Sequence, residues 1–213
     1  GHQTLASGLS AHTEGQATSA SGNYSHAEGT STHAAGVASH AEGAGTYAGG
    51  EKSHAEGLFT SASGKYAHSQ GGYTKATGWY SFASGKETLA KDSYSFTHGY
   101  QLTSSFKSGS YFGQFNTSSA ITSNHYKIFE IGTGKSNTER VNAFEAGWCD
   151  AGSEGFLPFI TLPVKNSSGS NMSLGDWSGL PPTGSCFIDI ANTKLRVYTG
   201  LGSDGWSYID FSA

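Results

Sequence analysis

The chain has 213 residues, of which 31 are glycine, 35% hydrophobic and 13% charged, and its formal net charge is −4. Glycine at roughly twice its usual share and a scarcity of large aliphatics argue against an ordinary globular core for part of the chain, while so small a net charge argues against disorder. Twelve Lys and Arg against 16 Asp and Glu give no basic field for nucleic acid, and no apolar run approaches the ~18 residues of a membrane span or forms an export signal. Cys149 and Cys186 have no metal-site spacing and allow at most one disulfide.

From the first residues onward the glycines form a ladder: Gly8, Gly15, Gly22, Gly29, Gly36, Gly43, Gly50, Gly57, Gly64, Gly71, Gly78 and Gly85. Asp92 takes the next place, Gly99 resumes the ladder, and Phe106 and Gly113 follow in register. Each heptad reads x-x-[S/T]-x-A-x-G, with Thr18, Ser25, Thr32, Ser39, Thr46 and Ser53 at the third place and Ala20, Ala27, Ala34, Ala41, Ala48 and Ala55 at the fifth. Alternate heptads differ. One set reads SHAEG at 25–29, 39–43 and 53–57, with AHTEG at 11–15 and AHSQG at 67–71, whereas the other reads TSASG, THAAG and TYAGG. The repeat is therefore two heptads long.

A coiled coil needs large apolar residues at its a and d positions, and a glycine in every heptad would cost a helix ~1 kcal/mol each. Collagen needs glycine at every third residue. A β-solenoid fits: S-x-A-x-G puts Ser, Ala and Gly on one face of a short strand and the two variable residues on the other. Glycine is expected to end each strand at a turn with positive φ. Two strands and two turns make a coil, and seven coils at ~4.8 Å each give a rod of roughly 34 Å.

So thin a roll buries little apolar surface and calls for lateral association. The heptads resemble the head repeats of YadA-like trimeric autotransporter adhesins, and the SHAEG variant is similar to repeats in tail-fibre and structural proteins of bacteriophages. The resemblance covers about half of the chain and implies an all-β, left-handed parallel β-roll in a homotrimer. In the adhesin repeat the strand facing the trimer axis resembles S-V-A-I-G. Here the two variable places hold His12 and Glu14, His26 and Glu28, His40 and Glu42, His54 and Glu56, then His68 and Gln70, and the row continues as Phe82 and Phe96. The other row carries Lys75 and Lys91, better suited to water, so the His/Glu row is expected to face the axis. A hydrogen-bonded ladder between chains is the working expectation, because buried polar groups must be paired. A solvated face is a second reading, and metal or anion binding on the axis a third, since imidazole and carboxylate both ligate transition metals.

Beyond Gly99 histidine becomes scarce while Ile, Leu, Val and Trp appear. Three regions are expected: the roll at 1–105, a neck and closing hairpin at 106–155, and an antiparallel β-domain at 156–213. Residues 106–126 read as an irregular closing turn. Lys127 to Ile131 and Arg140 to Ala146 read as the strands of a hairpin. Gly134-Lys135-Ser136 is not a phosphate loop, because the first glycine of GxxxxGK[ST] would fall on Phe129. The hairpin stretch resembles a segment that follows SHAEG arrays in phage proteins. Residues 181–211 read as three short strands with turn compositions between them. That stretch resembles a module of phage tail and surface proteins at Lys194, Leu195, Val197, Tyr198, Gly200 and Trp206, and departs from it at Cys186, Ile188 and Ala191.

No HExxH, GxSxG, CxxC or paired-carboxylate motif occurs, so no catalytic residue, metal site or cofactor is expected, and the chain does not read as an enzyme. His33 and His98 fall in variable slots of the repeat. Trp148, Trp177, Tyr198, Trp206 and Tyr208 are candidate receptor contacts, because aromatic rings stack on sugars, although alternating Trp and Tyr in short β-domains more often fill cores or interfaces. Asn23, Asn116, Asn166 and Asn171 sit in N-x-[S/T] sequons, read as accidents of a Ser-rich sequence. The resemblance implies a trimeric fibre or spike of a phage or phage-like particle, located in the virion and engaging a host glycan or protein receptor. The head of a bacterial surface adhesin is the alternative, and a purely structural particle component a third. The absence of an initiator Met and the in-register start suggest a fragment whose missing N-terminal part meets other particle proteins. No nucleic acid and no membrane insertion are expected.

Overall fold

The computed structural model describes residues 1–104, 106–116, 125–140 and 142–150, and the strands at 156–161, 186–189, 194–198 and 206–210, with the backbone alone at 125–126 and beyond 147. Among these residues every regular element is a strand. Two-residue strands β1 (Leu5–Ala6), β3 (Ser19–Ala20), β5 (His33–Ala34), β7 (Tyr47–Ala48), β9 (Ser61–Ala62), β11 (Lys75–Ala76) and β13 (Leu89–Ala90) alternate along the chain with five-residue strands. The longer ones are β2 (His12–Gln16), β4 (His26–Thr30), β6 (His40–Ala44), β8 (His54–Leu58), β10 (His68–Gly72), β12 (Phe82–Lys86) and β14 (Phe96–Tyr100). Each set forms its own parallel sheet, and partners are always one repeat apart: His26 opposite His40, Glu28 opposite Glu42, Gly29 opposite Gly43. The chain is thus a parallel β-solenoid whose coil is two heptads, as the repeat predicts.

The interior is lined by small side chains. Ala20, Ala27, Ala34, Ala41, Ala48, Ala55, Ala62, Ala76, Ala83 and Ala90 have no exposed surface and form one continuous core. Ser25, Ser39, Ser53, Ser81 and Ser95 are buried beside them and donate their hydroxyls to the carbonyl three residues back, at 2.6–2.8 Å. Serine recurs in the long-strand heptad because it closes the preceding turn from inside. Thr18, Thr32, Thr46 and Thr60, the short-strand counterparts, are buried with Oγ1 lacking a hydrogen-bond partner among the described residues.

Glycine plays the part expected of it in only half of the ladder. The left-handed turn residues lie two places after the ladder positions, at every seventh position from Gln3 to Phe115, with φ between 46° and 62° except at Gly45, the one glycine among them, where it is 67°. Of the ladder glycines, Gly15, Gly29, Gly43, Gly57, Gly71 and Gly85 have positive φ, near 103°, and lie one residue inside the end of their strands. Gly8, Gly22, Gly36, Gly50, Gly64 and Gly78 lack positive φ. What the two sets share is close stacking: a Cβ on Gly36 would come within 1.9 Å of the Gly50 carbonyl oxygen, and one on Gly29 within 2.2 Å of the Gly43 oxygen.

The parallel ladder does not stop at Gly99. The stretch read as an irregular turn contains β15 (Ser110–Gln114), paired in register with β14 as an eighth coil, Gly113 opposite Gly99. β16 (His125–Thr133) then adds its second half in parallel to β15, Gly132 opposite Gly113, and pairs antiparallel with β17 (Asn142–Asp150), which forms the expected hairpin. β18 (Phe156–Thr161) is the far strand of the same sheet. The chain divides into two units, 1–160 and 161–213. In the second, β19 (Cys186–Asp189), β20 (Lys194–Tyr198) and β21 (Trp206–Asp210) form the expected antiparallel three-stranded meander.

Candidate functional site

Strand alternation and exact coil register bring the outward residues of the long strands into two columns. One runs His12, His26, His40, His54, His68, Phe82, Phe96 and the other Glu14, Glu28, Glu42, Glu56, Gln70, Ser84, His98. The imidazoles stack at 4.7–4.8 Å, and His26 and His40 lie 2° from parallel. Phe82 meets the His68 ring edge-on at 5.1 Å and stacks on Phe96 at 4.9 Å. Ser110 would interrupt the ring column, but Phe112 of the neighbouring column leans across, 5.5 Å from Phe96 and 5.7 Å from Phe129. The face turns apolar toward the end of the roll, as the sequence suggests.

Three of the carboxylates reach diagonally to the imidazole of the next coil. Glu28 Oε1 lies 3.7 Å from His40 Nε2, Glu42 Oε1 3.6 Å from His54 Nε2, and Glu56 Oε1 3.5 Å from His68 Nε2. These separations exceed a hydrogen bond. The Nε2 atoms of His26, His40, His54 and His68 are shielded from solvent and have no hydrogen-bond partner among the described residues, although the side chains as a whole are half-buried. Beside the carboxylates, the column Gly15, Gly29, Gly43, Gly57, Gly71 and Gly85 carries no side chains, and the two columns line an open groove of about 890 Å³. Three groups, Glu14/His26/Glu28, Glu28/His40/Glu42 and Glu42/His54/Glu56, keep their ligand atoms within 4.8 Å of one another.

The turn corners carry ladders that the sequence reading did not single out. Tyr66, Tyr80 and Tyr94 stack at 4.6 and 5.3 Å, and Phe59 stacks on Tyr73 at 5.4 Å. Their faces are turned on one another or covered by Lys52, Lys65 and Lys107, which leaves ring edges to solvent. The signal was an aromatic residue two places after successive ladder positions, at Phe59, Tyr66, Tyr73, Tyr80 and Tyr94. Glu51 accepts from Lys65 at 2.7 Å and pairs with Lys52 at 3.1 Å. These bonds hold its carboxyl below the ordinary carboxylate range and both ammonium groups above theirs. The depressed carboxyl stabilises the fold above the ordinary carboxylate range, and that contribution disappears as pH falls through the depressed value. The groups' position at the surface, within reach of solvent and salt, keeps it small.

At the end of the roll a polar cluster takes over from alanine. Glu130, fully buried, accepts from Asn116 Nδ2 and Asn142 Nδ2 at 3.0 Å each, with Lys127 Nζ 3.9 Å away. Asn116 also brackets Thr103 through both its backbone groups, and Arg140 donates to the carbonyls of Gln101 and Asn116. Asn116 itself is thus buried and committed to structure, whereas Asn23 is exposed and accepts from the Leu9 amide. Of the candidate receptor contacts, Trp148 lies in β17, Tyr198 in β20, and Trp206 and Tyr208 in β21, with side chains outside the described set; Trp177, Asn166 and Asn171 lie outside the described residues altogether. Cys149 and Cys186 fall in different units. No family model and no curated protein matches the chain.

Proposed function

We propose that the chain is a structural and attachment component, a segment of a homotrimeric fibre or spike of a phage or phage-like particle. The observation that carries this reading is the long-strand face: a column of stacked rings running the length of a roll whose own interior holds little beyond Ala, Ser and Thr. Such a roll has a thin core, and the half-buried His, Glu and Phe columns are the surface that association would cover. The SHAEG repeats resemble those of YadA-like heads and phage fibres, and they support a left-handed roll with this face on the axis. The work proposed is rigid extension, with host recognition in the carboxy-terminal half or along exposed corners, since a repeating stalk offers many copies of one weak surface.

Light scattering tests the assembly: the reading expects about three times the chain mass of 22.1 kDa, and a monomer mass overturns it. Binding of the trimer to candidate host cells, with and without surface glycans, tests attachment. A trimer that binds neither cells nor glycans is a structural particle component without a receptor. The head of a bacterial surface adhesin is the second reading, favoured by the same repeats.

A further inference from the structure

We propose that the Glu-His-Glu groups on the long-strand face bind divalent first-row transition ions of the Zn²⁺ and Co²⁺ type, each held by one imidazole Nε2 and carboxylates from two adjacent coils. Distance is the first argument. His40 and His54 Nε2 stand 3.7 and 3.6 Å from their carboxylate oxygens, too far for a hydrogen bond of ~2.7–3.2 Å. An ion bound ~2.1 Å from each of two ligand atoms in tetrahedral geometry separates them by ~3.4 Å. Each diagonal pair therefore stands close to the spacing of two ligands around an ion, and the third donor of each group, within 4.8 Å, completes the set by a small side-chain rotation.

The imidazole nitrogen points the same way. Nε2 of His26, His40 and His54 is shielded from water, faces the carboxylates and has no hydrogen-bond partner among the described residues. A polar atom left in that state is costly, and coordination satisfies it. The ring stack fixes the imidazoles edge-on to the carboxylate column, so little side-chain entropy is lost when an ion binds. Gly29, Gly43 and Gly57, alongside, leave room for water to complete the coordination shell. One imidazole with two carboxylates selects Zn²⁺ or Co²⁺ over Ca²⁺ and Mg²⁺, which take all-oxygen shells.

Stoichiometry follows from the repeat. Glu28 and Glu42 each belong to two groups, and ions one coil apart would repel across ~4.8 Å. Glu14/His26/Glu28 and Glu42/His54/Glu56 share no ligand, so the ladder takes two ions per chain. His68 cannot found a further full group, because Gln70 stands where the next carboxylate would be. A single chain supplies every ligand, so the inference does not depend on the trimer, and a monomer mass would leave it standing.

The test is titration of the tag-free chain with Co²⁺, followed by its d–d absorption, and with Zn²⁺ by calorimetry. The expected result is saturation at two ions per chain with roughly micromolar Kd, and no heat from Ca²⁺. Glu28→Gln with Glu42→Gln removes a carboxylate from all three groups through a side chain the ladder already accepts at Gln70. That variant should bind at least ~10-fold more weakly, with an unchanged melting curve in EDTA, while His33→Gln on the other sheet changes nothing. Absence of the Co²⁺ spectrum, equal binding by the double variant, or equal competition by Ca²⁺ overturns the proposal.

Discussion

Glycine and the left-handed turn residues divide between them two tasks usually given to one residue. The ladder glycines are set by the distance between coils, since any Cβ at Gly36 would sit on the Gly50 carbonyl. The left-handed positions are filled by Ala38, Lys52, Tyr66 and their counterparts, at ~1–2 kcal/mol apiece. Gly36→Ala is therefore expected to cost ~3 kcal/mol or more, or to prevent folding. Ala38→Gly, two places on, should be neutral or stabilise by ~0.5 kcal/mol, because relief of the left-handed strain slightly exceeds the added chain entropy. Chemical denaturation of the two variants checks the pair, and equal destabilisation would refute the division. The buried hydroxyls separate in the same way. Ser39→Ala removes a bond to the Gly36 carbonyl and should cost ~1 kcal/mol, whereas Thr46→Val replaces a hydroxyl without a hydrogen-bond partner among the described residues and should be neutral or stabilising by up to ~1 kcal/mol. The heptad shows that Ser and Thr alternate; only the coordinates show that Ser39 is bonded whereas Thr46 has no hydrogen-bond partner among the described residues.

At the scale of the element, the two-strand coil was legible because a two-heptad repeat leaves few other ways to bury Ser, Ala and Gly together, whereas the alternation of five-residue with two-residue strands was not. Nor was the continuation of the ladder through β15 and β16. Successive coils place their glycines 14 residues apart, as from Gly99 to Gly113, but Gly113 pairs with Gly132, 132 − 113 = 19 residues on. An insertion between strands hides a register that periodicity alone would find. The inner column changes character over the same stretch, from Ala83 through Thr97 and Tyr111 to Glu130. Asn116, Asn142 and Lys127 help to sustain a carboxylate in that column, and none of them stands out in the sequence as its partner. Asn116→Ala strips Glu130 of one donor and the Thr103 backbone of two bonds at once. The expected cost is ~3 kcal/mol. Hydrogen exchange should show protection lost at β14 to β16 while β4 to β8 keep theirs; uniform loss along the roll would contradict a local role for the cluster.

Over the whole molecule, the roll behaves as a one-dimensional stack in which each coil touches its neighbours and little else, so its stability is close to a sum over coils and the contacts between them. The two heptads of a coil are nonetheless not interchangeable. One carries Ser bonded to the preceding turn and glycine at φ near 103°; the other carries Thr and a glycine without positive φ. Deletion of 30–43 removes one whole coil, joins Gly29 to Ala44 and leaves every column continuous. That variant should fold with a cooperative transition lowered by only a few degrees, on the order of one repeat's contribution. Deletion of 30–36 removes half as many residues yet puts two long-strand heptads in succession, so every later His and Glu falls on the wrong sheet and Thr and Ser exchange places throughout. It should lose its cooperative melting transition. Far-UV circular dichroism against temperature compares the two directly. If the shorter deletion proved the milder, the seven-residue unit would be the true building block, and the two columns on the long-strand face would have no structural basis.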